Sequence, residues 1–222
     1  MRILSYITMI SFITCMVMTG CSSDDMNDSM TLYDLVTFEG NTEKAAVFSL
    51  QKDGDSPMIE LTAIGRRVDT AQVKPGQRLF LSYIPESGLP YTSGMVTLRG
   101  LSLINYAKIE TGAITDWDKT PVYMNSMWRT GVYLNLECRI DYTTEEGRRF
   151  MLVADETTIE DFEPQLYVVH DLDQLPQNFT RRIYASWDMS DVWNRPGCHG
   201  VKVHIRDSNR NITSMTFNKK QN

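Results

Sequence analysis

Apolar side chains recur at every second position over short stretches of this chain, the spacing of half-buried strands rather than of long amphipathic helices. In residues 31–110 five such runs stand out, at 32–38, 45–50, 58–63, 78–84 and 95–106, each rich in Val, Ile, Leu, Phe or Tyr. Turn residues separate them. Gly40-Asn41, Asp53-Gly54-Asp55, Pro75-Gly76 and the Pro85 to Pro90 stretch all favour the backbone angles that reversals need. Gly100, inside the fifth run, predicts a bulge where a long strand bends. Five strands with no helix to cover a sheet face are best relieved of open edges by closure, so this half is expected to be a five-stranded OB-like β-barrel.

The alternation breaks at 111–121, which reads as an interdomain linker with Trp117 wedged between the domains. A second set of strands follows over 122–222. Val132, Leu134, Leu136, Cys138 and Ile140 lie on one face of a strand, and Tyr133, Asn135, Glu137 and Arg139 on the other. Further runs at 149–154, 165–170, 183–189, 201–205 and 213–217, the last two joined by a polar hairpin loop, predict an antiparallel β-sandwich. The fold class is therefore all-β, with two domains. Trp128 and Trp187 are expected in its core.

The N-terminus carries an address. Arg2 precedes an apolar run at 3–18 that is too short and too interrupted to span a bilayer, so residues 1–20 read as a secretory signal. Its ending, Gly20-Cys21, resembles the lipobox of bacterial lipoproteins, which implies that Cys21 is acylated and begins the mature chain. Residues 21–30 hold Asp24, Asp25 and Asp28 and read as an acidic, solvated tether. Such a run after the cysteine also resembles the surface-export signal of Bacteroidetes lipoproteins, so the expected location is the outer membrane, lipid-anchored and facing outward.

The formal charge of −6 becomes −7 once Arg2 is removed with the signal, 21 basic against 28 acidic groups. That balance disfavours nucleic acid as a partner. Of four cysteines, Cys15 leaves with the signal and Cys21 takes lipid, so Cys138 and Cys198 could form at most one bridge.

Several pieces together resemble the NigD-like lipoprotein family of the Bacteroidetes: the lipobox with Ser22-Ser23-Asp24-Asp25, the strand opening at Val73-Lys74-Pro75-Gly76-Gln77-Arg78-Leu79, and Met127-Trp128-Arg129-Thr130-Gly131-Val132-Tyr133-Leu134-Asn135-Leu136. The closing strand pair ending near Phe217 completes the set. The resemblance implies an N-terminal OB domain with a C-terminal β-sandwich, and it brings no catalytic residues.

Chemistry is sparsely signalled. His170, His199 and His204 with Cys198 match no closed zinc motif, since His199 and His204 face opposite ways on extended chain and no second ligand pair accompanies them. There is no Gly-x-Ser-x-Gly elbow. Asp188 with Asp191, or Asp171 with Asp173, are acid pairs of the kind glycan hydrolysis uses. Glu160-Asp161 with Glu163, or Asp53 with Asp55, are oxygen clusters of the kind calcium takes. Acids in turns and at strand ends are the ordinary reading of all four. No metal, cofactor or catalytic residue is expected.

The best binding candidate is the loop at 188–199, where Asp191, Trp193, Asn194, Arg195 and His199 combine an aromatic plane with charged and hydrogen-bonding groups suited to a sugar or peptide. The plainer role for Trp193 is to close the end of the sandwich. Together these features predict a non-enzymatic, membrane-anchored binding or accessory module for an extracellular glycan, other polymer or protein partner. A structural subunit of a pilus-like surface assembly and a divergent hydrolase are the alternatives.

Overall fold

Alternation in the first half of the chain produces a closed barrel. In the computed structural model, which describes residues 30–142, 149–172 and 179–220, its strands are β1 (Leu32–Asn41), β2 (Ala45–Leu50), β3 (Ile59–Ile64), β4 (Arg78–Pro85) and β5 (Gly94–Leu103). They close in the order β1-β2-β3-β5-β4, with β3 and β5 parallel and every other pair antiparallel. Val36, Phe38, Phe48, Leu61, Leu79, Leu81 and Tyr83 fill the interior. The bulge lies at Gly100 as expected: Ser82 faces Gly100 while Tyr83 faces Leu98, and a Cβ on Gly100 would stand 2.9 Å from the Ser82 hydroxyl.

The second half is a two-sheet sandwich. Its elements are β6 (Asn105–Lys108), β7 (Glu110–Gly112), β8 (Tyr123–Thr130), β9 (Tyr133–Tyr142), β10 (Arg149–Asp155), β11 (Gln165–Asp171), β12 (Phe179–Asp188), the single helical turn α1 (Ser190–Trp193), β13 (Gly200–His204) and β14 (Ser214–Asn218). One sheet runs β6-β12-β9-β8 and the other β14-β13-β11-β10-β7. Leu134, Leu136, Cys138, Leu152, Val168, Trp187 and Val203 form the core between them.

Four expectations are corrected. The sandwich is mixed, because β6, β7 and β13 lie parallel to β12, β10 and β11. The run at 95–106 is two strands in two domains, since the barrel ends at Leu103 and Asn105 already pairs with Ala185. The supposed linker begins inside a sheet, with Thr111 paired to Ala154. Trp117, on the segment that follows, lies over Tyr167 and His204 on the outer face of the five-stranded sheet, at centroid distances of 5.2 and 6.2 Å, and not between the domains.

The barrel docks on the outward face of the four-stranded sheet. That is why β1 is buried on both sides: Val36 and Phe38 point into the barrel, while Leu35 and Thr37 are covered by the sandwich.

Candidate functional site: the seam between the domains

Strand β4 carries two rows of side chains. Leu79, Leu81 and Tyr83 enter the barrel, and Arg78 and Phe80 reach across to the sandwich. Arg78 is only 2% exposed. Its Nε donates to Ser186 Oγ at 3.2 Å, one Nη to Thr37 Oγ1 at 3.3 Å, and the other Nη to Asn135 Oδ1 at 3.3 Å and Thr130 Oγ1 at 3.4 Å. The Tyr133 ring lies 4.5 Å from the guanidinium carbon. Ser186 Oγ also donates to Asn135 Oδ1 at 2.8 Å, and Asn135 Nδ2 to Thr130 Oγ1 at 2.9 Å. These four acceptors around the buried cation are all neutral. Burial pushes its pKa down to about 10, against the opposing pull of the Tyr133 and Tyr106 hydroxyls, and it remains charged at neutral pH. Such burial is tolerated because the forked donors meet acceptors from both domains at once.

A second clasp lies beside it. In the loop after β2, Gly54 N donates to Arg129 O at 2.8 Å, and Gly131 N returns a bond to Gly54 O at 2.7 Å. Arg129 pairs with Asp55 at 2.8 Å and holds that carboxyl below its usual range, chiefly through the hydrogen bond it donates. Gly131 has φ +55°, and a Cβ there would stand 2.1 Å from Gln51 Oε1, so the turn between β8 and β9 favours glycine and any larger residue would have to displace the Gln51 side chain. Asp55, considered above as an oxygen ligand for calcium, is thus engaged by an arginine.

The loop at 188–199 is organised by this clasp. Trp193 is 6% exposed, with the Arg129 guanidinium 4.3 Å and the Lys219 ammonium 5.5 Å from its ring centre. It therefore presents no open plane, and its packing closes the end of the sandwich. Asp191 pairs with Lys108 at 2.8 Å, and exposed Asn194 ends α1 by donating its N–H to Ser190 O at 3.0 Å. Arg195 pairs with Glu160, and its second Nη is buried without a partner among the described residues. His199 stacks on exposed Phe162 at 4.8 Å. The five residues are spread over separate contacts and do not converge on one cavity.

A groove runs over the margin of the seam. Tyr33, Phe80 and Tyr184 stack in a row across it, with centroids 6.2 Å apart for the first pair and 4.6 Å for the second. Arg182 lies over Tyr184, donates to its hydroxyl at 3.0 Å and pairs with Glu137 at 2.6 Å, while Asn125 Nδ2 donates to Glu137 at 2.9 Å. A hollow of about 260 Å³ lies on one side of the Phe80–Tyr184 pair, bounded by Ile104, Asn105 and Arg181. Another of about 180 Å³ lies on the other side, bounded by Asp34, Lys52, Trp128 and Glu137. Trp128, expected in the core, is a wall of this groove. Burial raises the Asp34 pKa despite the 3.0 Å hydrogen bond from the Tyr83 hydroxyl and the field of Lys52. The same neighbourhood raises the Tyr83 pKa, by burial first and then by Asp34.

The remaining candidates have local roles. His170 is buried against Phe150, with ring nitrogens near Asp141 O at 3.1 Å and Pro121 O at 3.4 Å, and His204 stacks on Tyr167 and bonds Gln165 Oε1 at 2.7 Å. Asp188 accepts the N–H of Ser190 at 2.8 Å, and Asp171 pairs with Lys119 at 3.0 Å. Among the described residues no three His, Cys, Asp or Glu side chains gather as a metal site. Cys138 and Cys198 are free and buried. Cys21 and Asp173 lie outside the described residues.

At the level of sequence, no protein-family model and no curated protein matches the chain. Solved structures do. A NigD-like immunity protein from Bacteroides caccae superposes with a TM-score of 0.57 at 15% identity, over 84% of this chain and 91% of that one. The two share a fold. A protein of unknown function from Bacteroides vulgatus matches with a TM-score of 0.68 at 18% identity, covering 86% of this chain and 92% of its own. A candidate lipoprotein from Bacteroides fragilis matches at 0.57 and 11% identity, covering 85% and 96%. The OB barrel joined to a β-sandwich, expected from the NigD-like resemblance, is thus an architecture these Bacteroides proteins have in common.

Proposed function

We propose that the protein is a lipid-anchored, outward-facing outer-membrane lipoprotein that works without catalysis, as a binding or accessory module for an extracellular polymer or protein partner. The observation that carries this reading is the join of two β domains by the buried Arg78 lattice into one body with a groove at its margin, borne on a chain that opens with Gly20-Cys21 and an acidic tether. Domain seams are where ligand sites concentrate. Among the described residues no helix is long and apolar enough to cross a membrane; what supports attachment through acyl chains on Cys21 is the lipobox resemblance of Gly20-Cys21.

Radiolabelled palmitate and protease shaving of intact cells test the anchor and its orientation. The native protein incorporates label and is cleaved from outside; Cys21→Ala loses both label and membrane attachment while the secreted domains stay folded. A native chain found unlabelled and free in the periplasm would overturn the proposal. Polymers in membrane fractions would select the pilus-like assembly in its place.

A further inference from the structure

We infer that the groove over the seam binds a neutral oligosaccharide, with Tyr33 as the open stacking face and the Glu137–Arg182 pair, Lys52 and Asp34 as partners for its hydroxyls. This rests on the accessory-module reading above and adds the class of polymer and its seat. Tyr33 is 64% exposed and continues the Phe80–Tyr184 row out to solvent, so a flat ring is offered to the C–H face of a pyranose at the mouth of the groove.

The polar groups around that ring are of both signs. Glu137 is tied to Arg182, and Asp34 lies in the field of Lys52. Carboxylates and cations together serve hydroxyl groups, which both donate and accept; with Arg181 on the wall of the larger hollow the groove has three cations against two carboxylates, which is not the dense single-signed field that a polyanion or polycation calls for. The chain's formal charge of −6 likewise opposes single-stranded nucleic acid, which OB barrels elsewhere bind by stacking in basic grooves.

Strand order argues against an extended peptide. β1 and β4 each have two partners in the closed barrel, and β12 lies between β6 and β9, so the strands that carry the aromatic row have no free edge for backbone pairing; the edge strands β6 and β8 only flank the groove, through Asn105 and Trp128. Along the row, recognition comes from side chains. Hollows on both sides of one ring pair suit a chain that runs on in two directions rather than a compact ligand.

The test is titration of the purified protein with cellohexaose, xylohexaose, mannohexaose and maltohexaose, followed by calorimetry and by tryptophan fluorescence, since Trp128 lines the groove. At least one binds saturably. Tyr33→Ala weakens it about tenfold or more at unchanged melting temperature, whereas Tyr33→Phe stays within about threefold. The inference is overturned if none of the four binds, if Tyr33→Ala binds as the native protein does, or if an extended peptide competes for the groove in place of sugars. Those failures leave the anchored, outward-facing reading standing. A hexasaccharide held through Tyr33 and then cleaved would do the reverse, ending the non-catalytic reading while keeping the groove.

Discussion

The two faces of the four-stranded sheet are both withdrawn from water, yet they are built from opposite materials. On one, Leu134, Leu136, Cys138, Ile140, Ala185 and Trp187 interdigitate with the second sheet. On the other, Tyr133, Asn135, Tyr184 and Ser186 meet the barrel, and Asn135 and Ser186 are as fully buried as the leucines. The apolar face stabilises without preferring a direction, because burial of such surface is nearly isotropic. The polar face stabilises only where donors and acceptors align, so it fixes how the barrel sits on the sandwich. Where that polar face runs past the contact, it lines a groove.

Truncation on each face should separate these roles. Leu136→Ala, in the apolar layer, is expected to lower unfolding free energy by about 2–5 kcal/mol through lost burial and a residual cavity, read from urea denaturation. Arg78→Ala, on the polar face, should cost less, about 1–3 kcal/mol, for the hydrogen bonds it removes. Arg78→Met decides what the cation contributes. It keeps the stem volume, and Ser186, Asn135 and Thr130 still satisfy one another. Removing the ion also removes the burden of its burial. A loss smaller than for Arg78→Ala is therefore expected; an equal loss would show that the charge itself, and not its packing, holds the domains.

Thiol reactivity sharpens the comparison further. Cys138 sits on the apolar face, where burial first and Glu137 second push its thiol up to about 12, and Cys198 is buried with its thiol donating to Gly200 O at 3.2 Å. Neither is expected to react with Ellman's reagent near pH 8 until the protein is denatured. Leu136→Ala should speed labelling of Cys138 by at least about tenfold, since it weakens the layer that must open. Arg78→Ala, which loosens only the opposite face, should leave that rate nearly unchanged.

Much of this architecture is visible in the alternation of residues, and the polar face explains what is not. The barrel strands and the Gly100 bulge follow from period-two patterning and turn chemistry. β8 escapes notice because Tyr123-Met124-Asn125-Ser126 supplies little contrast between its sides. The parallel pairs escape because β6 and β7 meet strands far along the chain. Asn135 and Ser186 look like solvent residues in any one-dimensional reading, and only docking of the barrel buries them. The groove residues Tyr33, Phe80 and Tyr184 come from strands on both sides of the domain boundary, so no local motif unites them. One sequence signal was available: Leu35 breaks the alternation of β1 by placing an apolar group on its outward side, a mark of a partner surface. In the loop at 188–199 Trp193 does gather charged neighbours, but as a buried lid on Arg129, the plainer of the two roles its sequence offers.

The smallest predicted effect concerns the carboxylate at the edge of the polar face. Asp34 has its pKa raised from 3.8 by burial, so the folded chain holds this proton more tightly than the unfolded one. Stability then falls as pH climbs from the unfolded pKa through the raised folded value, and the full penalty is present at neutral pH. Asp34→Asn removes the charge but keeps an oxygen to accept the bond from the Tyr83 hydroxyl. Its melting temperature at pH 7 should therefore exceed that of the native protein, by less than about 4 °C for a chain of this size, with the gap closing near pH 3. A lower melting temperature at pH 7 would mean that the attraction of Lys52 outweighs burial. The polar margin would then stabilise the fold in its own right, instead of holding a partly desolvated carboxylate ready for a ligand.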